Sequence, residues 1–275
     1  MSKPFLALFL LLSTTFSAWT AENPTPSTRE LNLMNWMEFQ KLVPTYIETV
    51  LLPTGTLEAH GVLPNGSDNL APEAMARELA PRLNALIAPT LNYGVTGSLK
   101  GYAGTFAISP EAYKSFVTDI LAGLASNRFK NIIILNGHGG PQTAILQTIA
   151  QEISDRYRVR TMVINWWSVA SEETFAVFGE NGGHAGNNET AYIQNIVPQH
   201  VHPEWYSSDM ATPYPAPKSW SAYPFPSSIG LYEKGEGYPT FNPKQAKEYY
   251  RRVNDRIFNL ISEIIRKWDQ AKLYK

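Results

Sequence analysis

The chain has 275 residues, 44% of them hydrophobic, which is enough apolar material for one substantial core and requires no second domain. A formal net charge of -1 excludes the concentrated basic field that nucleic acid or an anionic membrane surface needs, so a small neutral or locally zwitterionic substrate is expected instead. The absence of cysteine excludes both a disulfide framework and lipid attachment through a thiol.

Lys3 precedes the apolar run from Phe5 to Leu12, which is too short to cross a bilayer. This pattern predicts a secretory signal peptide over residues 1–21, with cleavage near the small residues Ser17, Ala18, Thr20 and Ala21. An uncleaved membrane anchor is the alternative. Residues 22–275 are then one domain of a periplasmic or secreted protein with no stable membrane association after export. Beyond a Pro/Thr/Ser-rich leader around Asn23 to Thr28, strand and helix signals alternate. Thr49 to Pro53, Asn131 to Asn136 and Val159 to Asn165 are short, largely apolar runs of the kind buried parallel strands show. Pro72, Pro110 and Pro141 each sit where a first helical turn would begin, with Ser109 placed to cap the second. Tyr113, Phe116, Val117, Ile120, Leu121 and Leu124 then recur at helical spacing, and a long terminal helix is expected from about Pro243. Strands interleaved with helices predict an α/β fold, a three-layer α/β/α sandwich with a mostly parallel central sheet. In such folds ligands collect beyond the carboxyl ends of the strands.

Chemistry-bearing residues cluster where that rule points. Directly after the first strand come Glu58 and His60, which point the same way in extended chain, and then Asp68 on an expected glycine-containing loop. Two carboxylates and an imidazole make an N/O metal site for zinc, manganese or iron, the alternative being a solvated loop with an incidental histidine. His138 follows the strand Asn131 to Asn136 within Gly137 to Gly140, where glycines permit close backbone approach to an ion or substrate. A third glycine-flanked histidine, His184, is expected in a loop, while Glu189 should project from the first turn of the next helix. For Glu189 the alternative is ordinary favourable placement of an acid at a helix N-terminus. Of the five histidines, His200 and His202 lack such a setting and read as a surface loop. Trp166 and Trp167, at the end of a strand, either wall a pocket or fill the core.

These segments, Gly55 to Gly61, Asp68, Asn136 to Gly140 and His184 to Thr190, together resemble the creatininase (creatinine amidohydrolase) family. That family's pattern runs Gly-x-x-Glu-x-His-Gly, Asp, Asn-Gly-His-Gly-Gly and His-Ala-Gly-x-x-Glu-Thr. Gly101 to Thr105, containing Tyr102, looks like its Pro-Gly-Thr segment, and Tyr102 joins Trp166 and Trp167 as a candidate substrate contact. The resemblance implies two divalent metal ions per chain, Glu58, Asp68 and His138 holding one and His60, Asp68 and Glu189 the other, with Asp68 bridging. Three carboxylates and a hydroxide would balance two such ions. It further implies a metal-dependent hydrolase of carbon–nitrogen bonds other than ordinary peptide bonds, in which a metal-bridging hydroxide attacks the amide carbon and His184 protonates the leaving nitrogen. A cyclic amide, a formamide or a short peptide would each present a suitable bond. A homo-oligomer, with a hexamer among its forms, is also implied. The chain lacks a second histidine after Gly61, and Gly139 and Gly140 stand where family members acting on creatinine can carry an acid, so creatinine itself is not the favoured substrate. No serine-hydrolase elbow, zincin motif or P-loop is present. The competing reading is an exported small-molecule binding protein with a structural metal.

Overall fold

The computed structural model describes residues 24–215 and 219–274; the expected signal peptide lies outside the described residues. Three of its strands are the predicted apolar runs, β1 (Thr49–Thr54), β3 (Asn131–Asn136) and β4 (Arg160–Asn165). A shorter strand that sequence reading did not anticipate, β2 (Ala85–Ile87), completes a four-stranded sheet of order β2-β1-β3-β4, parallel throughout. Register is set so that Thr54, Asn136 and Asn165 lie side by side, which levels the carboxyl ends of the three long strands.

The alternation of side chains along these strands feeds two separate cores. Val50, Leu52, Ile132 and Ile134 face a cluster completed by Leu42 of α1 (Trp36–Leu42), Tyr113, Val117 and Leu121 of α3 (Pro110–Ser126) and Leu146, Ile149 and Ile153 of α4 (Pro141–Tyr157). Leu51, Ile133, Leu135 and Ile164 face the opposite cluster. There they meet α2 (Ser67–Arg82), α7 (Asn187–Ile196) and α8 (Pro243–Gln270), with the short helices α5 (Trp166–Val169) and α6 (Ser171–Phe178) beside them. The result is the expected three-layer α/β/α sandwich. A second sheet of three very short strands, β5 (Gly183–His184), β6 (Ala211–Pro213) and β7 (Ile229–Leu231), has β7 in its centre and carries one wall of the site.

Helix starts agree with the proline signals at Pro110, where the Ser109 hydroxyl accepts from the Ala112 amide, and at Pro141. Pro72 is a correction. It lies inside α2, which begins at Ser67, so Asp68 stands in a helical first turn rather than on a loop. Pro72 has no N–H to offer the Asp68 carbonyl, and that carbonyl instead packs against Gly55 and Gly137: a Cβ on Gly137 would lie 1.8 Å from it. At the other end of the sheet, buried Arg160 ties β4 to the end of α8 by donating to the Asp269 carboxylate (2.9 Å) and the Leu273 carbonyl (2.8 Å).

Candidate metal centre

The level ends of β1 and β3 release loops, β4 passes directly into α5, and the polar residues converge above these ends. The first loop is braced rather than free: the Glu58 amide donates to the Asn65 carbonyl at 3.0 Å, and the Ala59 amide to the Thr105 hydroxyl at 3.1 Å. Thr105 belongs to the Gly101–Thr105 segment, so that turn supports the loop from outside. Asp68 reaches in from α2, His138 from the loop after β3, His184 from β5, and Glu189 from the first turn of α7. His184 is thus paired on a strand with Gly230, not carried on a loop as the sequence suggested.

The Asp68 carboxylate is central, with one oxygen 2.9 Å from His60 Nε2 and the other 2.8 Å from His138 Nδ1. Glu58 Oε1 lies 3.2 Å from His138 Nδ1, and Glu189 Oε2 lies 3.6 Å from His60 Nε2. Two donor sets follow, Glu58–Asp68–His138 and His60–Asp68–Glu189, each with ligand atoms within 4.8 Å of one another and sharing Asp68. Glu58, His60 and His184 form a third such group.

Backbone carbonyls orient all three imidazoles. His60 Nδ1 meets the Glu58 carbonyl at 3.0 Å, His138 Nε2 the Val95 carbonyl at 3.1 Å, and His184 Nε2 the Ala59 carbonyl at 2.8 Å. A carbonyl only accepts, so each contacting nitrogen carries the hydrogen and the other nitrogen is turned toward the acids, where a cation that displaced its proton would find it as a ligand.

Burial disfavours charge throughout the cluster, and the acids overcome it at two histidines. Burial pushes His60 down, but Asp68, Glu189 and Glu58 together raise it to about 10. His138 is likewise held well above its usual range by Glu58 and Asp68. Asp68 sits well below the ordinary carboxylate range because His60 and His138 outweigh its burial, and Glu58 is lowered by His138 and His184 against the same opposing cost. Burial dominates at Glu189, raised to about 7, and at His184, where burial and the neighbouring His60 lower it to about 4. The cavity over the cluster has a volume of about 370 Å³, and among the described residues that line it none is Lys or Arg. Two buried carboxylates and a third part-buried one, with imidazole nitrogens and no Lys or Arg beside them among the described residues, are a donor set that fits divalent metals.

The candidate substrate contacts divide. Trp167 lines the cavity. Trp166 does not: it is a buried core residue packed edge-on to Trp167 and against Tyr192 at 5.2 Å, because α5 starts at once after β4 and turns it beneath the site. Tyr102 is also outside the lining, its hydroxyl donating to the Phe225 carbonyl at 2.8 Å to tie the Gly101–Thr105 turn to the far rim. Tyr214, Phe225, Tyr232 and Asn188 line the cavity and escaped sequence reading. The first three enter through β6, β7 and their flanks, segments too short to carry a periodic signal, while Asn188 was hidden beside the more conspicuous Glu189. His202 lies outside the site, stacked on Trp205 and paired with Glu204 at 2.9 Å.

Comparison with known proteins bears on the fold and the family. Over 167 residues, 58% of this chain and 53% of the relative, the chain is 27% identical to a 3-dehydro-scyllo-inosose hydrolase of Thermotoga maritima. It therefore spans about half the length of that relative. It is also 27% identical over 183 residues to a mycofactocin precursor peptide peptidase of Mycobacterium ulcerans, covering 62% of this chain and 67% of that one. Solved creatininases of the Zn-Zn type and with manganese share the fold, with TM-scores of 0.72 and 0.74, 20% and 19% identity, and coverage of 86% of this chain and 98% of theirs. The creatinine amidohydrolase family pattern matches residues 32–261, and the chain belongs to the creatininase family.

Proposed function

We propose that the chain is an exported, metal-dependent amidohydrolase that cleaves a carbon–nitrogen amide bond of a small molecule. The observation that carries this is the pair of donor sets sharing Asp68 on the floor of an open cavity. Glu58, Asp68 and His138 would hold one divalent ion and His60, Asp68 and Glu189 the other; zinc, manganese and iron suit these ligands. Ions bound there would polarise a carbonyl and acidify water. A structural ion needs no solvent access, so the cavity favours catalysis over a binding protein with a structural metal.

The chain's own contribution centres on His184. With its Nε2 hydrogen committed to Ala59, its Nδ1 is an acceptor facing Glu58 Oε1 at 3.5 Å. His184 therefore begins as a base, takes a proton from the attacking water at Nδ1, and returns it to the leaving nitrogen. Trp167, Tyr214, Phe225 and Tyr232 give the amide apolar walls. The apolar run from Phe5 to Leu12 supports export to the periplasm or beyond the cell. Family membership supports assembly with further copies of the chain.

The test is metal analysis of the purified mature protein beside a screen of cyclic amides, formamides and short peptides, with and without chelator. A cyclic polyhydroxy ketone belongs in the screen because of the inosose hydrolase relative. Two ions per chain with chelator-sensitive amide hydrolysis are expected; no bound ion after reconstitution, or one ion and no turnover, would overturn the reading.

A further inference from the structure

The segment Gly94–Thr96 connects β2 to the turn at Gly101–Thr105 and crosses the metal centre on its way. It touches both donor loops at once. The Gly94 amide donates to the Thr56 hydroxyl at 3.2 Å, two residues before Glu58. The Val95 carbonyl is the acceptor that fixes the His138 ring at 3.1 Å. The buried Thr96 hydroxyl donates to Glu58 Oε2 at 2.5 Å, leaving Glu58 Oε1 turned toward His138 and the cluster.

This segment is itself held from below. Gln142, completely buried in the first turn of α4, accepts from the Val95 amide at 3.0 Å and donates to Asn136 Oδ1 at 3.2 Å. Gly94 leaves room for that contact, since a Cβ there would lie 2.0 Å from the Gln142 side-chain oxygen. A carboxylate with two free oxygens can rotate about its last torsion and offer either one; pinning Oε2 removes that freedom and fixes which oxygen faces the ion.

We propose that Thr96 is a positioning residue that aims Glu58 at one of the two metal ions, on a segment locked in place by Gln142. The inference rests on the metal-centre reading above. It is asymmetric: the Thr96 hydroxyl bonds Glu58, which belongs to the Glu58–Asp68–His138 set and not to the His60–Asp68–Glu189 set, so the first position depends on Thr96 and the second does not.

Thr96→Val removes the hydroxyl at nearly constant volume, and Thr96→Ser restores it. Stepwise zinc and manganese titration of the metal-free proteins by calorimetry, with thermal denaturation of each metal-free variant, makes the test. One of two binding steps should weaken about 10–100-fold in Thr96→Val. The other step and the metal-free denaturation temperature should stay as in the parent, and Thr96→Ser should recover the lost affinity. Two unchanged steps, or two steps weakened equally together with a lower denaturation temperature, would overturn the proposal and leave the metal centre standing. A parent chain that takes up no ion would overturn both.

Discussion

Asp68 is the residue on which both donor sets depend, because each of its oxygens faces a different histidine. Asp68→Asn should reduce bound metal from two ions to none after gel filtration, whereas Glu189→Gln should leave one, as metal analysis by mass spectrometry would show. His184 contacts the cluster without being needed to complete either set sharing Asp68. His184→Ala should therefore keep both ions and lose about 10²–10⁴-fold in turnover, the usual worth of a positioned proton-transfer group. A loss of only a few-fold with both ions bound would remove it from the mechanism. At this scale the sequence was informative where glycine stood beside a histidine, as at His60, His138 and His184; Glu58 and Glu189, each three residues after a glycine, meet them in space. Trp166 and Trp167 show the limit. They are adjacent and chemically identical, and only the turn from β4 into α5 sends one to the cavity and the other to the core.

Elements fix how those residues approach. The long strands, both apolar faces of the sheet and the helices starting at Pro110 and Pro141 were legible because period and capping are local signals. The start of α2 was not, since its first turn carries no side-chain cap and a proline further along imitates a beginning. β2, β5, β6 and β7 have two or three residues each, shorter than any pattern of alternation can reveal, and they exist through pairing partners distant in sequence. The approach of α2 to the loop after β3 is close enough to test. Gly137→Ala would place a methyl on the Asp68 carbonyl, which must displace either the loop or the helix. Destabilisation of about 1–3 kcal/mol is expected from thermal or urea unfolding, with weaker metal binding alongside. Unaltered stability would mean that the two backbones separate at little cost.

Taken as a whole, the molecule assembles its candidate metal centre from residues between 58 and 189, brought together by the folded sheet and the helices packed on it. An ion that binds this arrangement binds the native state alone, so excess metal should raise the denaturation temperature. At a free concentration a hundred times the dissociation constant, one ion adds about 2.7 kcal/mol. Scanning calorimetry with chelator and then with added zinc or manganese would measure it, and coincident curves would contradict it. The opposite pole of the sheet should be independent. Arg160→Ala removes charge-assisted contacts to Asp269 and Leu273 and should cost about 2 kcal/mol of stability while leaving metal content unchanged.

The tie between Arg160 and Leu273 also determines how this protein can be handled. β4 begins at Arg160 and runs toward the cavity, so Leu273 is held at the pole of the sheet remote from the cavity floor. Six residues of strand, at about 3.3 Å each, separate that pole from the strand ends beneath the candidate site. A purification handle or a tether to a solid support attached there would hold the cavity mouth outward, whereas the same attachment in the Gly94–Thr105 region would press on the loops that frame it.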